Sequence, residues 1–153
     1  MKITDFLTVD TVIPSLNSQE KNAVLRELAQ ALVANYHGLD QQKVIEVLRE
    51  RERISTTAIG EGVAIPHGKL ADVERVLGMF ARSVEGVDFA SLDGGPTHLF
   101  FVLIAPENAA ADHLKALARI SRLLKDEAFR RRLLAGKNSQ EIYQMIATED
   151  DKF

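Results

Sequence analysis

A continuous apolar run near the middle of the chain constrains the fold more than any other feature. The segment from His98 to Ala105 places seven apolar residues in succession after the histidine. A strand with one buried face alternates apolar and polar residues, whereas a strand covered on both faces reads as an unbroken apolar run. We therefore predict a strand over His98–Ala105, with helices covering both of its faces.

Two further strands are predicted upstream of this run. The segments Val63–Ile65 and Val76–Ser83 are rich in apolar and β-branched residues. A strong turn signal, Asp-Gly-Gly-Pro at positions 93–96, separates the second strand from the long apolar strand. Residues 54–62 are rich in threonine and glycine and are predicted to form a loop before the first strand.

Two helices are predicted before the strands. Asn17 followed three residues later by Glu20 is typical of a capping box that opens a helix, and Gly38 supplies its stop signal. Asp40 is predicted to cap a second helix, which ends in the alternating charged run at positions 49–53. The apolar positions of the two helices recur at helical spacing: Leu25, Leu28, Leu32 and Tyr36 in the first, and Val44, Val47 and Leu48 in the second.

The chain returns to helix after Pro106. One amphipathic helix has its apolar stripe at Leu114, Leu117, Ile120, Ser121 and Leu124, and a further apolar stripe contains Phe129 and Leu133. A second capping box, Asn138 with Glu141, is predicted to open the last helix. We expect the acidic end at positions 149–151 to fray.

This order of helices, strands and helices indicates the fold class. Helices on both faces of a buried sheet define the α/β architecture. A chain of 153 residues fits one domain of ordinary size. We predict a single domain over residues 1–153, a sandwich of a mixed β-sheet flanked by helices.

Charge and composition exclude several classes of partner. The chain has 19 lysine and arginine residues against 22 acidic residues, a formal net charge of -3, so no basic field is available to hold nucleic acid or an anionic membrane surface. Cysteine is absent, which rules out disulfides and thiolate chemistry. No apolar run reaches the length needed to cross a membrane, and the first residues do not read as a secretion signal. We expect a cytoplasmic protein without nucleic-acid or membrane partners.

One histidine stands where a strand is predicted to end. Pro66 cannot donate a ladder hydrogen bond, so it helps to end the strand and displays His67 at its rim. We expect Gly68 to leave room for the imidazole and the glycines at 60 and 62 to let the preceding loop pass close to it. A neutral imidazole has one free ring nitrogen, which can act as a nucleophile or a ligand. The residues alone equally allow a hydrogen-bonded structural histidine at a turn.

A longer stretch around this histidine carries a family resemblance. Arg51-Glu52, followed by Ser-Thr-Thr-Ala-Ile-Gly-Glu-Gly-Val-Ala-Ile-Pro-His-Gly at positions 55–68, resembles the phosphorylation-site signature of enzyme IIA of the bacterial phosphotransferase system, in its fructose/mannitol class. The turn at 93–96, the long apolar strand and the helix from Asp112 to Leu117 follow in the order of that family. The resemblance covers nearly the whole chain and is strongest to the nitrogen-regulatory subgroup. It implies the fold of the fructose/mannitol-type IIA proteins.

The resemblance also implies roles for five residues. His67 matches the phosphoryl acceptor, Arg51 the active-site arginine, and His113 a second histidine that hydrogen-bonds the phosphoryl oxygens. Thr56 or Thr57 could add hydroxyl donors to the phosphate. Without the resemblance, Arg51 reads as one more solvated charge, His113 as surface, and the two threonines as groups that satisfy nearby backbone.

The implied function is a phosphoryl relay, a phosphotransferase component with mainly regulatory output. The donor would be a histidine phosphocarrier protein (HPr-like), and regulatory target proteins would read the phosphorylated state. No cofactor is expected. ATP binding is not supported, because Gly136-Lys137 lacks the glycine at position 131 and the hydroxyl residue at 138 that a phosphate-binding loop requires. A protein-docking face, apolar with a charged rim, should surround His67.

Two alternatives remain open from the sequence. A IIA subunit that serves sugar transport of the fructose or mannitol type would carry the same motif. From a different class, a small metal-dependent hydrolase could use His67, His98 and His113 as ligands, although their separations match no metal motif.

Overall fold

The computed structural model describes residues 1–152 and is built on a mixed sheet; Phe153, the last residue of the predicted domain, lies outside the described residues. Within the described part the strands are β1 (Val12–Ile13), β2 (Ala58–Gly60), β3 (Val63–Ala64), β4 (His67–Leu70), β5 (Leu77–Val87) and β6 (Thr97–Pro106). These six strands form one sheet: five lie in the order β1-β5-β6-β3-β2, and β4 pairs with β6 beyond the end of β3.

Helices cover both faces of this sheet. They are α1 (Lys21–Asn35), α2 (Gln41–Ile54), α3 (Ala110–Leu124), α4 (Glu127–Ala135) and α5 (Ser139–Asp150), and two short 3₁₀ turns lie at Ile3–Asp5 and Val9–Thr11. The predicted α/β sandwich of a mixed sheet flanked by helices is confirmed. Within residues 1–152, no helix has both the length and the apolar composition that crossing a membrane requires.

Strand β6 divides the interior into two cores. Leu99, Phe101 and Leu103 join the core beneath α3, α4 and α5. Phe100 and Val102 join the core beneath α1 and α2. Successive side chains of a strand point to opposite faces, so the unbroken apolar run fills both cores, as its pattern predicts.

The chain re-enters the sheet immediately after Pro66, which corrects the expected end of the strand. Both β3 and β4 run parallel to β6 in one register, since Val63 pairs with Leu99 and His67 pairs with Leu103. The N–H of Leu103 donates to the carbonyl of Pro66 at 3.0 Å. His67 is therefore the first residue of a strand rather than part of a turn.

The predicted N-terminal helix caps have different outcomes. Asp40 and Asn138 cap α2 and α5 through their side chains, as expected. The prediction for Asn17 is wrong, because α1 begins only at Lys21 and its N-cap is Glu20. The carboxylate of Glu27 accepts the backbone N–H groups of Asn17 and its neighbour and holds this segment outside the helix.

The acidic C-terminal end is anchored rather than frayed. Asp150 is 1% exposed, accepts the backbone N–H of Ile3 at 2.7 Å and forms an ion pair with Arg119. Glu149 is also buried and pairs with Arg132. The expectation of a mobile end fails because these carboxylates join α5 to α3, to α4 and to the first residues of the chain.

Candidate functional site

His67 lies at the edge of the sheet with its ring on the α3 side. Val63 and Ile65 share its strand face and pack into the core beneath α3, and residue 67 continues this alternation. The imidazole is half-buried, and its Nδ1 lies 2.7 Å from the carbonyl oxygen of Ile65. A carbonyl only accepts hydrogen bonds, so Nδ1 carries the proton and Nε2 keeps its lone pair.

Arg51 faces this lone pair from the last turn of α2. Its Nε donates to His67 Nε2 at 3.3 Å, and its Nη1 donates to the carbonyl of Ser55 at 2.8 Å. Arginine has no acceptor atom, so the contact requires an unprotonated Nε2. Two independent hydrogen bonds therefore assign the same tautomer to His67.

His113 completes a group of three side chains. It lies in the first turn of α3, is only 6% exposed, and meets the ring of His67 edge to face with centroids 5.4 Å apart. Within residues 1–152 its buried Nε2 has no hydrogen-bond partner. Buried polar atoms are rarely left unpaired in folded proteins, so this nitrogen lacks a partner that such an atom usually has.

The predicted apolar stripe of α3 is partly wrong. The buried positions are His113, Ala116, Ile120, Leu123 and Leu124. Leu114 is 67% exposed instead. The buried face matches the prediction at Ile120 and Leu124 but includes His113 and Ala116 in place of Leu114 and Leu117 near the start of the helix.

Both histidines favour the neutral state. Burial lowers the pKa of His67, Arg51 lowers it further, and the hydrogen bond to Ile65 and the charge of Glu52 oppose these effects. Burial lowers the pKa of His113 to about 4, with smaller contributions from His67 and Lys69. Desolvation disfavours the charged form of an imidazole, so both rings are uncharged at neutral pH.

The three histidines of the metal alternative do not come together. His98 is the second residue of β6, and its Nδ1 hydrogen-bonds the carbonyl of Ser83. It stands five residues before Leu103, the partner of His67 in the sheet, a separation of about 16 Å along the strand. In the part of the chain that the structure describes, no three or more histidine, cysteine or acidic side chains are grouped so that they could hold a metal ion.

Comparison with known proteins identifies the family. Residues 5–149 match the model of the phosphoenolpyruvate-dependent sugar phosphotransferase system, EIIA 2. The chain belongs to this family. It is 48% identical over 147 residues to a nitrogen regulatory protein of Bradyrhizobium diazoefficiens, covering 96% of this chain and 95% of that protein.

Two other similar proteins differ in how much of their own length this chain covers. A fructose-specific EIIABC component of Bacillus subtilis is 42% identical over 150 residues, and these cover 98% of this chain but 24% of that protein. The crystal structure of nitrogen regulatory protein IIA-Ntr from Neisseria meningitidis superposes with a TM-score of 0.88 at 30% identity, covering 94% of this chain and 98% of that one.

Gly68 has a different role in this EIIA chain from the one expected. A Cβ on Gly68 would lie 2.5 Å from a methyl carbon of Val47 in α2. The glycine therefore lets α2, which carries Arg51, approach β4 closely, rather than leaving room for the imidazole. Gly60 and Gly62 have φ of 109° and 75° and shape the tight connection between β2 and β3, away from His67.

The loop that precedes β2 carries the two predicted threonines. Thr56 Oγ1 donates to the carbonyl of Phe89 at 2.9 Å, and Thr57 Oγ1 donates to the carboxylate of Glu52. The structure thus places His67 in direct contact with both Arg51 and His113, while both threonine hydroxyls have protein partners. The expected loop at residues 54–62 also contains β2.

The sequence reasoning missed Lys69. It lies two residues after His67 on the same face of β4, and its charge contributes to the lowered pKa of His113. Alternation along the strand was the available signal, but the prediction that the strand ended at Pro66 concealed it.

Proposed function

We propose that this EIIA protein accepts a phosphoryl group on Nε2 of His67 from the phosphohistidine of an HPr-like phosphocarrier protein. The observation that supports it most strongly is the hydrogen bond from Nδ1 of His67 to the carbonyl of Ile65, with Arg51 against Nε2. The ring is held with one nitrogen as a nucleophile and the other as a proton carrier. We propose residues 1–153 as one working domain.

The transfer needs no base and no cofactor. The lone pair of Nε2 forms a bond to phosphorus while the bond between phosphorus and the carrier's histidine nitrogen breaks, and the leaving nitrogen keeps that electron pair. The ring of His67 retains its Nδ1 proton and becomes positively charged. The carbonyl of Ile65 accepts a stronger hydrogen bond from this charged ring, which stabilises the product.

Arg51 and His113 stabilise the charge on the migrating group. Phosphoryl transfer proceeds through a loose transition state whose charge is spread over three oxygens, so catalysis is mostly positioning and electrostatics. The guanidinium of Arg51 can pass from Nε2 to these oxygens, and its planar fork suits them. The unpartnered Nε2 of His113 can donate to another oxygen when it carries the ring proton. A phosphate contact by Thr56 or Thr57 stays a prediction and requires their hydroxyls to leave Phe89 and Glu52.

Two exposed apolar side chains beside the site supply a docking face. Ile54, one turn after Arg51, is 77% exposed, and Leu114 directly follows His113. Large exposed apolar side chains close to a functional site favour a protein partner. The substitution Leu114→Asp should raise KM for the phosphocarrier with little change in kcat. The matched control is Val84→Asp, because Val84 is also exposed but is remote from the site. It lies about 20 Å along β5 from Gly78, the residue that pairs with Leu103 and is therefore level with His67 in the sheet.

For the phosphorylated protein we favour a regulatory role in nitrogen metabolism, carried out in the cytoplasm. It is supported by the similarity, over nearly the full length of both chains, to a nitrogen regulatory protein. Sugar transport is the second candidate, favoured by the 42% identity to a fructose-specific component. Incubation of the phosphorylated protein with a fructose-type enzyme IIB separates the two, since rapid transfer to IIB would support sugar transport and contradict the regulatory assignment.

Phosphorylation itself is tested with purified components. The protein is incubated with phosphoenolpyruvate, the first enzyme of the phosphotransferase system and a phosphocarrier, and its intact mass is measured. Wild type should gain one acid-labile phosphoryl group, and His67→Ala should gain none. Arg51→Ala should be labelled about 100-fold more slowly. Arg53→Ala, in the same charged turn but exposed, should match the wild type. Labelling of His67→Ala would refute the site.

A further inference from the structure

Glu52 is a buried carboxylate beside the site whose function the transfer chemistry does not explain. It follows Arg51 in the last turn of α2, and its side chain is 5% exposed. It accepts the backbone N–H of Thr57 at 3.0 Å and the hydroxyl of the same residue. Lys21 Nζ, at the start of α1, lies 3.0 Å from the carboxylate. A buried charge needs such partners to offset its lost hydration.

One path of hydrogen bonds leads from Glu52 to the ring of His67. The carboxylate binds the N–H of Thr57, and the carbonyl of Thr57 accepts the N–H of Ile65 at 3.1 Å. The carbonyl of Ile65 then accepts Nδ1 of His67 at 2.7 Å. The carbonyl that sets the tautomer of His67 is therefore held by a peptide segment that Glu52 anchors.

A second path leads from Glu52 to the guanidinium of Arg51. Arg51 Nη1 donates to the carbonyl of Ser55, which lies between the end of α2 and Thr57. Because Glu52 fixes Thr57, it also fixes the position of this carbonyl. The guanidinium and the imidazole thus share a single carboxylate as their common anchor.

Lys21, the ion-pair partner of Glu52, is itself held in place by Phe89. Lys21 packs over the ring of Phe89 with its Nζ 4.6 Å from the centroid, and Thr56 donates to the carbonyl of Phe89. Glu52 therefore ties the segment at residues 55–57 to α1 and to the chain that follows β5. Groups held in this way keep their geometry without help from the substrate.

We propose that Glu52 is a positioning residue for phosphoryl transfer, which holds Arg51 through Ser55 and sets the tautomer of His67 through Thr57 and Ile65. The inference rests on the proposed function of His67. Glu52 touches neither the acceptor nitrogen nor the migrating group. Its removal should lower the fraction of His67 with an unprotonated Nε2 and should displace the guanidinium of Arg51 from its position against that nitrogen.

Two substitutions and one matched control test this role. Glu52→Ala removes both the hydrogen bonds to Thr57 and the ion pair with Lys21. Glu52→Gln keeps an acceptor for the N–H of Thr57 but loses the charge that holds Lys21. The control is Glu50→Ala, two residues earlier in α2 and 65% exposed. Turnover at saturating phosphocarrier should fall about 100-fold in Glu52→Ala and about 10-fold in Glu52→Gln. KM should stay within about twofold in every variant, because the docking face is unchanged.

A readout that needs no partner protein accompanies the kinetics. In protein with ¹⁵N-labelled histidine, the wild type should show His67 protonated on Nδ1 alone, and Glu52→Ala should show a mixture of both tautomers. Thermal unfolding, measured alongside, identifies a variant that is merely unstable. If Glu52→Ala does not fold, Glu52→Gln supplies the result.

The outcomes are distinct. Lost turnover at constant KM, together with a mixed tautomer in a folded variant, supports the positioning role. A folded Glu52 variant that keeps wild-type turnover and a single tautomer overturns it. Failure of wild-type protein to become phosphorylated on His67 would instead refute the proposed function, and the tautomer would still report whether Glu52 orients the ring.

Discussion

The imidazole rings of His67 and His113 meet edge to face, with their centroids 5.4 Å apart and an interplanar angle of 72°. They come from β4 and from the first turn of α3, 46 positions apart in the chain. The Nε2 atom of His113 is buried without a partner in the described residues. Burial lowers the pKa of both rings and so favours their neutral form. Their protonation therefore affects both stability and transfer.

Stability should fall on acidification because of His113. Its pKa is about 4 in the folded state against an ordinary value of 6.5, so the unfolded chain binds more protons between these values. The stabilisation is fully present above pH 6.5 and is lost as the pH falls toward 4. Between pH 7 and pH 5 the loss should reach about 2 kcal/mol, measured by urea unfolding. His113→Gln should lose correspondingly less, and an equal loss in this variant would contradict the assignment.

His67 should titrate below its ordinary range. Burial and the charge of Arg51 lower its pKa, so the neutral, nucleophilic ring should persist to lower pH than that of an ordinary histidine. The acid-side fall in phosphoryl acceptance should therefore lie below the pH at which an unperturbed imidazole would cause it. An NMR titration of the ring measures the midpoint directly, and Arg51→Met should raise it while Arg53→Met leaves it unchanged. A midpoint at or above 6.5 in the wild type would refute this explanation.

Gly68→Ala should destabilise the protein by overpacking. The new methyl group would lie 2.5 Å from Val47 Cγ1, which forces α2 away from β4. We expect a loss of about 1–3 kcal/mol in the free energy of unfolding and slower phosphoryl transfer, since α2 carries Arg51. The double variant with Val47→Ala removes the clashing methyl and should recover part of both losses. Strictly additive effects of the two substitutions would exclude the proposed clash.

Asp150 should contribute far more to stability than its neighbour Asp151. Asp150→Ala leaves the N–H of Ile3 and the guanidinium of Arg119 without their buried acceptor, which should cost about 3 kcal/mol. Asp151 is exposed and forms an ion pair with exposed Lys2, so Asp151→Ala should change stability by less than about 0.5 kcal/mol. Denaturant unfolding of both variants tests the difference. Similar losses would indicate that α5 is not anchored through Asp150.

The sequence by itself determined the features that depend on neighbouring residues. The apolar run at 98–105 could only be a strand covered on both faces, because it offers no polar face to water. Asp40 and Asn138 cap helices through N–H groups three residues away. The family resemblance also predicted that Arg51, His67 and His113 act at one site.

Tertiary structure decided whatever depends on residues distant in the chain. Asn17 does not cap α1 as predicted, because the carboxylate of Glu27, ten residues later, accepts its backbone N–H and holds it outside the helix. Asp150 is ordered by the backbone of Ile3, 147 positions away. The space at Gly68 is set by the packing of α2 against the sheet. Such contacts form only when separate elements pack together, so they cannot be predicted from local residue spacing and propensity.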